Sequence, residues 1–215
     1  MTDNRKSGIA FIAGSIGGIV TMAIHPTAGG VSAPSQFEHL AIVSAVAHSL
    51  AIVSFLILVL GAFGLTQILS APDRLAFSAL VIYVFAAVAI FIAATVSGFI
   101  VPSIMRHMVR DTAAAAPQYH IVIDSIFQIN QAFAKIYSIA SAVAIALWSA
   151  SALRNGGIGR GIATYGCIIA PLLIAGIAIG HLKLNVHGMA VVVLTQAIWF
   201  IIVGIQLSRV RNAVA

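Results

Sequence analysis

The chain has 215 residues, of which 61% are hydrophobic and 7% charged, with a mean hydropathy of +1.09. A soluble domain of this length cannot hide that much apolar surface, so its expected solvent is a bilayer. The net charge of +6 does not point to nucleic acid, because the basic residues are scattered singly at helix ends and form no phosphate-binding face.

Six apolar segments follow one another, and nothing longer than a loop separates them, so residues 1–215 read as a single transmembrane domain. The first segment runs from about Gly8 to Ile24, with Gly14 and Gly18 spaced for close helix contact. Arg5 and Lys6 before this run, and Val31-Ser32-Ala33 after it, resemble a signal peptide, but Pro34 would directly follow the cut. The segment is therefore read as a retained first helix. A small-residue loop from Pro26 to Pro34 leads to a second helix, Ser35 to about Ser70. Ser35 and Glu38 fit a capping box, in which Glu38 reaches back to the Ser35 amide. The third helix runs from about Arg74 to Met105 and the fourth from Tyr119 to Leu153. Asn155-Gly156-Gly157 then breaks the chain before a fifth helix, about Gly161 to His181, and a sixth, about His187 to Ser208. Helices two to four carry about 30 or more residues against about 20 needed to cross hydrocarbon, so they are expected to tilt or project at the outer face. Cys167 stands alone in an apolar run, which leaves no disulfide framework and no cysteine metal motif.

Arg5, Lys6, Arg74, Arg154, Arg160, Arg209 and Arg211 fall on one side of this arrangement, and Arg106, Arg110 and Lys183 on the other. The bias predicts both termini in the cytoplasm of a multi-pass cell-membrane protein, most simply a bacterial inner-membrane one. On that topology His25, His39, His48, His107, His120, His181 and His187 all lie toward the outer side.

The fourth helix is the most informative. His120, Asp124, Gln128, Gln131 and Lys135 are spaced four, four, three and four apart, which puts them on one helix face. A polar stripe on an apolar helix is expected to face a protein interior, a wet cavity or a ligand. His120 and Asp124 can reach one ion, and Asp124 is costly in a membrane helix unless partnered. This pair, joined by His25, His39, His48, His181 or His187, is the expected ligand set for zinc, iron or copper. Gln128, Gln131, Glu38 and Ser44 would support those ligands through hydrogen bonds. Ser44 and His48, four apart, read first as a buried hydrogen bond and only second as a nucleophile and base. His39 and His48 are half a turn out of phase and cannot serve one site. Lys135 snorkels to the outer interface, is neutral, or meets an anionic ligand.

The expected function is a metal-dependent membrane enzyme, a hydrolase or oxidoreductase, acting on a lipid-like substrate that enters from surrounding membrane lipids. Alternatives are a b-type haem protein, a small transporter, and a non-catalytic subunit of a homo-oligomer or larger membrane complex. His48 is deep enough for a haem ligand but has no equally deep partner in the sequence. The stripe stops before the apolar run from Ile139 to Leu147, which argues against a through-pore.

Overall fold

The computed structural model describes residues 3–26, 34–69, 74–110 and 116–209. The described chain is helical, with no strand. The helices are α1 (Asp3–Ile24), α2 (Pro34–Leu69), α3 (Arg74–Thr95), α4 (Val101–Arg110), α5 (Ala116–Asn155), α6 (Arg160–Ala178) and α7 (Val186–Arg209), with a π turn at Val96–Ile100 joining α3 to α4. Six helical runs are long and apolar enough to cross a membrane, because α3, the π turn and α4 form one of them, Arg74–Met108. The expected count of six is therefore met. The fifth segment stops short of His181, which lies in the turn between α6 and α7.

Gly156 and Gly157 adopt φ of 82° and 96°, the left-handed backbone that glycine tolerates, and this turn separates α5 from α6 as the sequence suggests. The start of α7 is set by Asn185, whose side-chain oxygen accepts from the Gly188 amide at 3.0 Å.

In chain order the helices close a ring. Helix α1 packs on α2 and α7, α2 on α3, α3 on α5, α5 on α6, and α6 on α7. Neighbours run antiparallel, so Ser7, Gly64, Leu69, Gly157 and Ser208 gather at one end, the Gly157 end. His25, Arg106, Gln131 and Asn185 gather at the other, the His25 end. Small residues permit the close approach. A Cβ on Gly14 would stand 2.8 Å from the Ser54 carbonyl oxygen, and one on Gly204 would stand 2.6 Å from that of Gly8. Gly18 does not make such a contact; it lines a cavity.

The Gly157 half is filled by aromatic rings. Trp148 stacks on Trp199 with centroids 6.1 Å apart, and Tyr83, Phe200 and Phe11 extend the layer. Both indoles are satisfied: Trp148 donates to Thr66 Oγ1 at 3.0 Å and Trp199 to Ser149 Oγ at 3.1 Å. Above this layer the Tyr137 hydroxyl donates to Gln196 Oε1 at 3.1 Å, and Gln196 Nε2 donates to Ser141 Oγ at 2.7 Å. Large apolar side chains such as Leu60, Phe77, Phe85 and Leu172 point outward, as a lipid-facing surface requires.

A cavity at the His25 end

Pro102 sets the local geometry. It has no N–H to donate, and its ring crowds the carbonyl one turn earlier. The helix widens across Val96–Ile100, with the Val101 amide donating to the Val96 carbonyl. In that wider register residue 102 would donate to the Ser97 carbonyl and cannot. Ser44 of α2 takes the place, its hydroxyl donating to Ser97 O at 3.1 Å. Gly98, next in line, lets α2 come close: a Cβ there would stand 2.5 Å from His48 Cβ. The widened turn therefore fixes where Ser44 and His48 sit.

His48 is buried, and its Nδ1 lies 2.7 Å from the Ser44 carbonyl oxygen. A carbonyl only accepts, so Nδ1 carries the proton and Nε2 keeps a lone pair. His25, just past the end of α1, is half-buried, and its Nδ1 lies 3.1 Å from the Pro26 carbonyl oxygen. The same logic leaves its Nε2 free. The two rings lie 5.0 Å apart, centroid to centroid, at 67°. Burial pushes the His25 pKa down, and the Pro26 carbonyl only partly opposes it, so the ring is neutral near pH 7.

These residues border a cavity of about 400 Å³. Its walls come from α1, α2, α3, the π turn, α4, α5 and the start of α7, and most of them are apolar. The floor is the edge-on pair Phe55 and Tyr137, with centroids 5.0 Å apart. Arg106 is the one Lys, Arg, Asp or Glu among the described lining residues, and both its Nε and Nη2 donate to Glu38 at 3.0 Å. Asn130 also lines the cavity, and its buried amide oxygen has no partner among the described residues.

The sequence-predicted site residues divide sharply. His25, His48, Ser44 and Gln131 line this cavity. His39, His120, Asp124, Gln128, Lys135, His181 and His187 are exposed and do not. Among the described residues no group of three or more His, Cys, Asp or Glu side chains comes together. His120 and Asp124 thus share a helix face, as their spacing implies, but no imidazole of another helix joins them. The expectation that Asp124 lies inside the bundle is corrected. Helix α5 has 40 residues, about 60 Å at 1.5 Å per residue, twice the hydrocarbon thickness. Along its first turns the partly buried residues recur at Tyr119, Ile123, Ile126 and Asn130, so α5 packs through that stripe, and Asp124 lies off it and is exposed. Glu38 accepts from Arg106 through both carboxylate oxygens, and the Ser35 side chain of the expected capping box lies outside the described residues. His39 is exposed while His48 is buried, as their half-turn phase difference requires.

Three features escaped the sequence reading: the contact of His25 with His48, the π turn, and the Tyr137–Gln196–Ser141 network. Gly98 followed by Pro102 in an apolar helix was the available signal for the second. Fold and site together define a six-helix bundle of membrane-spanning character with an apolar cavity closed at its floor. No family model, curated protein or solved structure matches this chain.

Proposed function

We propose that this is a multi-pass membrane protein that binds a small, uncharged, mainly apolar molecule in the cavity at the His25 end. One observation carries the reading: a space of about 400 Å³ walled largely by apolar side chains, with a few convergent polar groups and its single Lys/Arg/Asp/Glu-type charge neutralised by Glu38. Free lone pairs on the imidazoles suit a hydroxyl or amide donor, and the side chains of Asn130 and Gln131 add hydrogen-bonding capacity. The ligand class is the lipid-like one expected from the sequence. The closed floor at Phe55 and Tyr137, backed by the aromatic layer, favours binding over conduction. The basic residues Lys6, Arg74, Arg154 and Arg160 at the Gly157 end support cytoplasmic termini and an outward-facing cavity in a cell membrane.

The test is extraction and mass spectrometry of whatever co-purifies with the protein in mild detergent, beside Ala134→Phe, which projects a ring into the cavity. The wild type should carry a defined apolar molecule that Ala134→Phe lacks at unchanged helical content. Equal occupancy in the two proteins, or none in either, would overturn the reading.

A further inference from the structure

We propose that His25 and His48, together with a thioether of Met22 or Met105, form a binding site for copper(I) within the cavity wall. The inference does not depend on the organic ligand proposed above. Its geometry begins with the two imidazoles, which come from different elements and stand 5.0 Å apart. Each Nδ1 is held by a backbone carbonyl, which orients the ring and leaves Nε2 as the ligating atom.

The spacing restricts the ion. A metal–nitrogen bond of about 2.0 Å puts a ring centroid roughly 3.2 Å from the metal. Two centroids 5.0 Å apart then subtend an angle of roughly 100° at a shared ion. A linear pair, or two rings on opposite sides of a haem iron, would need centroids roughly 6.4 Å apart. The bent arrangement leaves further coordination positions open toward the cavity.

The donors available to fill them are soft. No third His, Cys, Asp or Glu joins the pair among the described residues, and Glu38 is occupied by Arg106. Met22, three residues before His25, and Met105, just beyond the π turn, both line the cavity. Met189, on α7, lines it too, with its sulfur 3.8 Å from Ser138 Oγ, whose proton goes to the Ala134 carbonyl at 2.8 Å. Imidazole with thioether, and no carboxylate, selects copper(I) over zinc, iron(II) or manganese(II). Charge points the same way. The desolvation penalty of an ion grows with the square of its charge, so a monovalent ion is far cheaper to bury in a site without an anionic ligand.

The experiment titrates the full-length protein in nanodiscs with copper(I) under anaerobic conditions against a chromophoric copper(I) chelator. X-ray absorption is recorded on the loaded protein, and zinc is added as competitor. The expected result is one copper(I) per chain, coordinated by two imidazole nitrogens and at least one sulfur, and not displaced by equimolar zinc. His25→Ala, at a helix end, should weaken binding by about 100-fold or more, with an unchanged circular-dichroism spectrum showing that the fold survives. The double variant Met22→Leu/Met105→Leu keeps the side-chain volume and should lose the sulfur signal. Unchanged copper affinity in His25→Ala, a sulfur signal that persists in the double variant, or displacement by zinc would each overturn the proposal.

Discussion

Replacing Gly98 by alanine tests the central geometric feature, the seating of α2 against the π turn. In an unobstructed helix the change is favourable by about 1 kcal/mol, because alanine is the better helix former. At Gly98 the new Cβ would stand 2.5 Å from His48 Cβ and 3.0 Å from its Cγ. Neither is the end of a flexible side chain, so α2 or the π turn must move, and overpacking of this kind costs about 1–3 kcal/mol. Ser44 donates to Ser97 from the same helix, so the shift also strains that bond. The net expectation is a loss of up to about 2 kcal/mol after the propensity gain is subtracted. Gly161 is the control: it lies in the first turn of α6, and nothing stands within 4 Å of a Cβ there, so Gly161→Ala should be neutral or slightly stabilising. Cys167 is the chain's single cysteine and is partly buried, so its reaction with a fluorogenic maleimide on heating in detergent reports unfolding. If Gly98→Ala melts at or above the wild-type temperature, α2 does not approach the π turn as described, and the placement of His48 fails with it.

Thr66→Val should cost about 1–3 kcal/mol, because it strands the buried Trp148 indole N–H that now donates at 3.0 Å; thermal unfolding of the variant measures the loss. Glu38→Gln should change stability by less than about 1 kcal/mol, since the Glu38–Arg106 pair is exposed, although it leaves a positive charge on the cavity rim; unfolding in low and high salt checks both points. The lowered His25 pKa fixes the sign of one pH effect. Above the ordinary value of 6.5 both folded and unfolded chains hold His25 neutral, and it contributes no pH dependence. As pH falls below that value the unfolded chain takes up the proton first, so stability declines, and His25→Gln should flatten the melting curve between neutral and mildly acidic pH.

Much of the bundle could be read before any coordinates, because hydrocarbon imposes length and apolarity on every span and Gly156-Gly157 marks its turn by chemistry alone. The site was legible only in part. Spacing along one helix correctly joined His120 to Asp124 on a face, but periodicity states which residues point together and not what lies opposite them. What decided exposure was which face of α5 meets its neighbours: Tyr119, Ile123, Ile126 and Asn130 are partly buried, and His120 and Asp124 lie off that stripe. The useful histidines, His25 just past α1 and His48 on α2, come from different elements, and their meeting depends on the crossing of α1 and α2 through Gly14, Gly17 and Ser54. The Gly14–Gly18 spacing marks a close contact, but not which helix makes it or at what crossing. Pro102 was readable as a helix disturbance, yet its consequence passes through a hydroxyl far away in sequence, Ser44 on α2.

The same disturbance explains why a cavity exists here at all. Membrane helices gain little by leaving space between them, since voids forfeit dispersion contacts. In the Gly157 half the interior of the ring is filled by Trp148, Trp199, Tyr83 and Phe200, and the space of about 480 Å³ at that end, bordered by Asn4, Ile68, Gly157, Gly159 and Gln206, is the more open of the two. In the His25 half the wall residues at equivalent depth are small, among them Ala41, Ala51, Ala93, Ala94 and Ala134. The π turn shifts the register of α4 relative to α3, so that Val101, Pro102, Met105 and Arg106 border the space. Deleting the cause should therefore close the space. Pro102→Ala restores an N–H, allows the Gly98 carbonyl an ordinary one-turn partner, and removes the reason for the extra residue in the turn. If the turn relaxes to regular α-helix, α4 rotates by about 100° for the one residue gained, Met105 and Arg106 leave the rim, and the Glu38 ion pair breaks. The measurable outcome is a faster reaction of a Met105→Cys thiol with a membrane-impermeant reagent in the Pro102→Ala background than in the parent. Equal reactivity would show that the π turn is held by the packing of His48 on Gly98 and not by the proline.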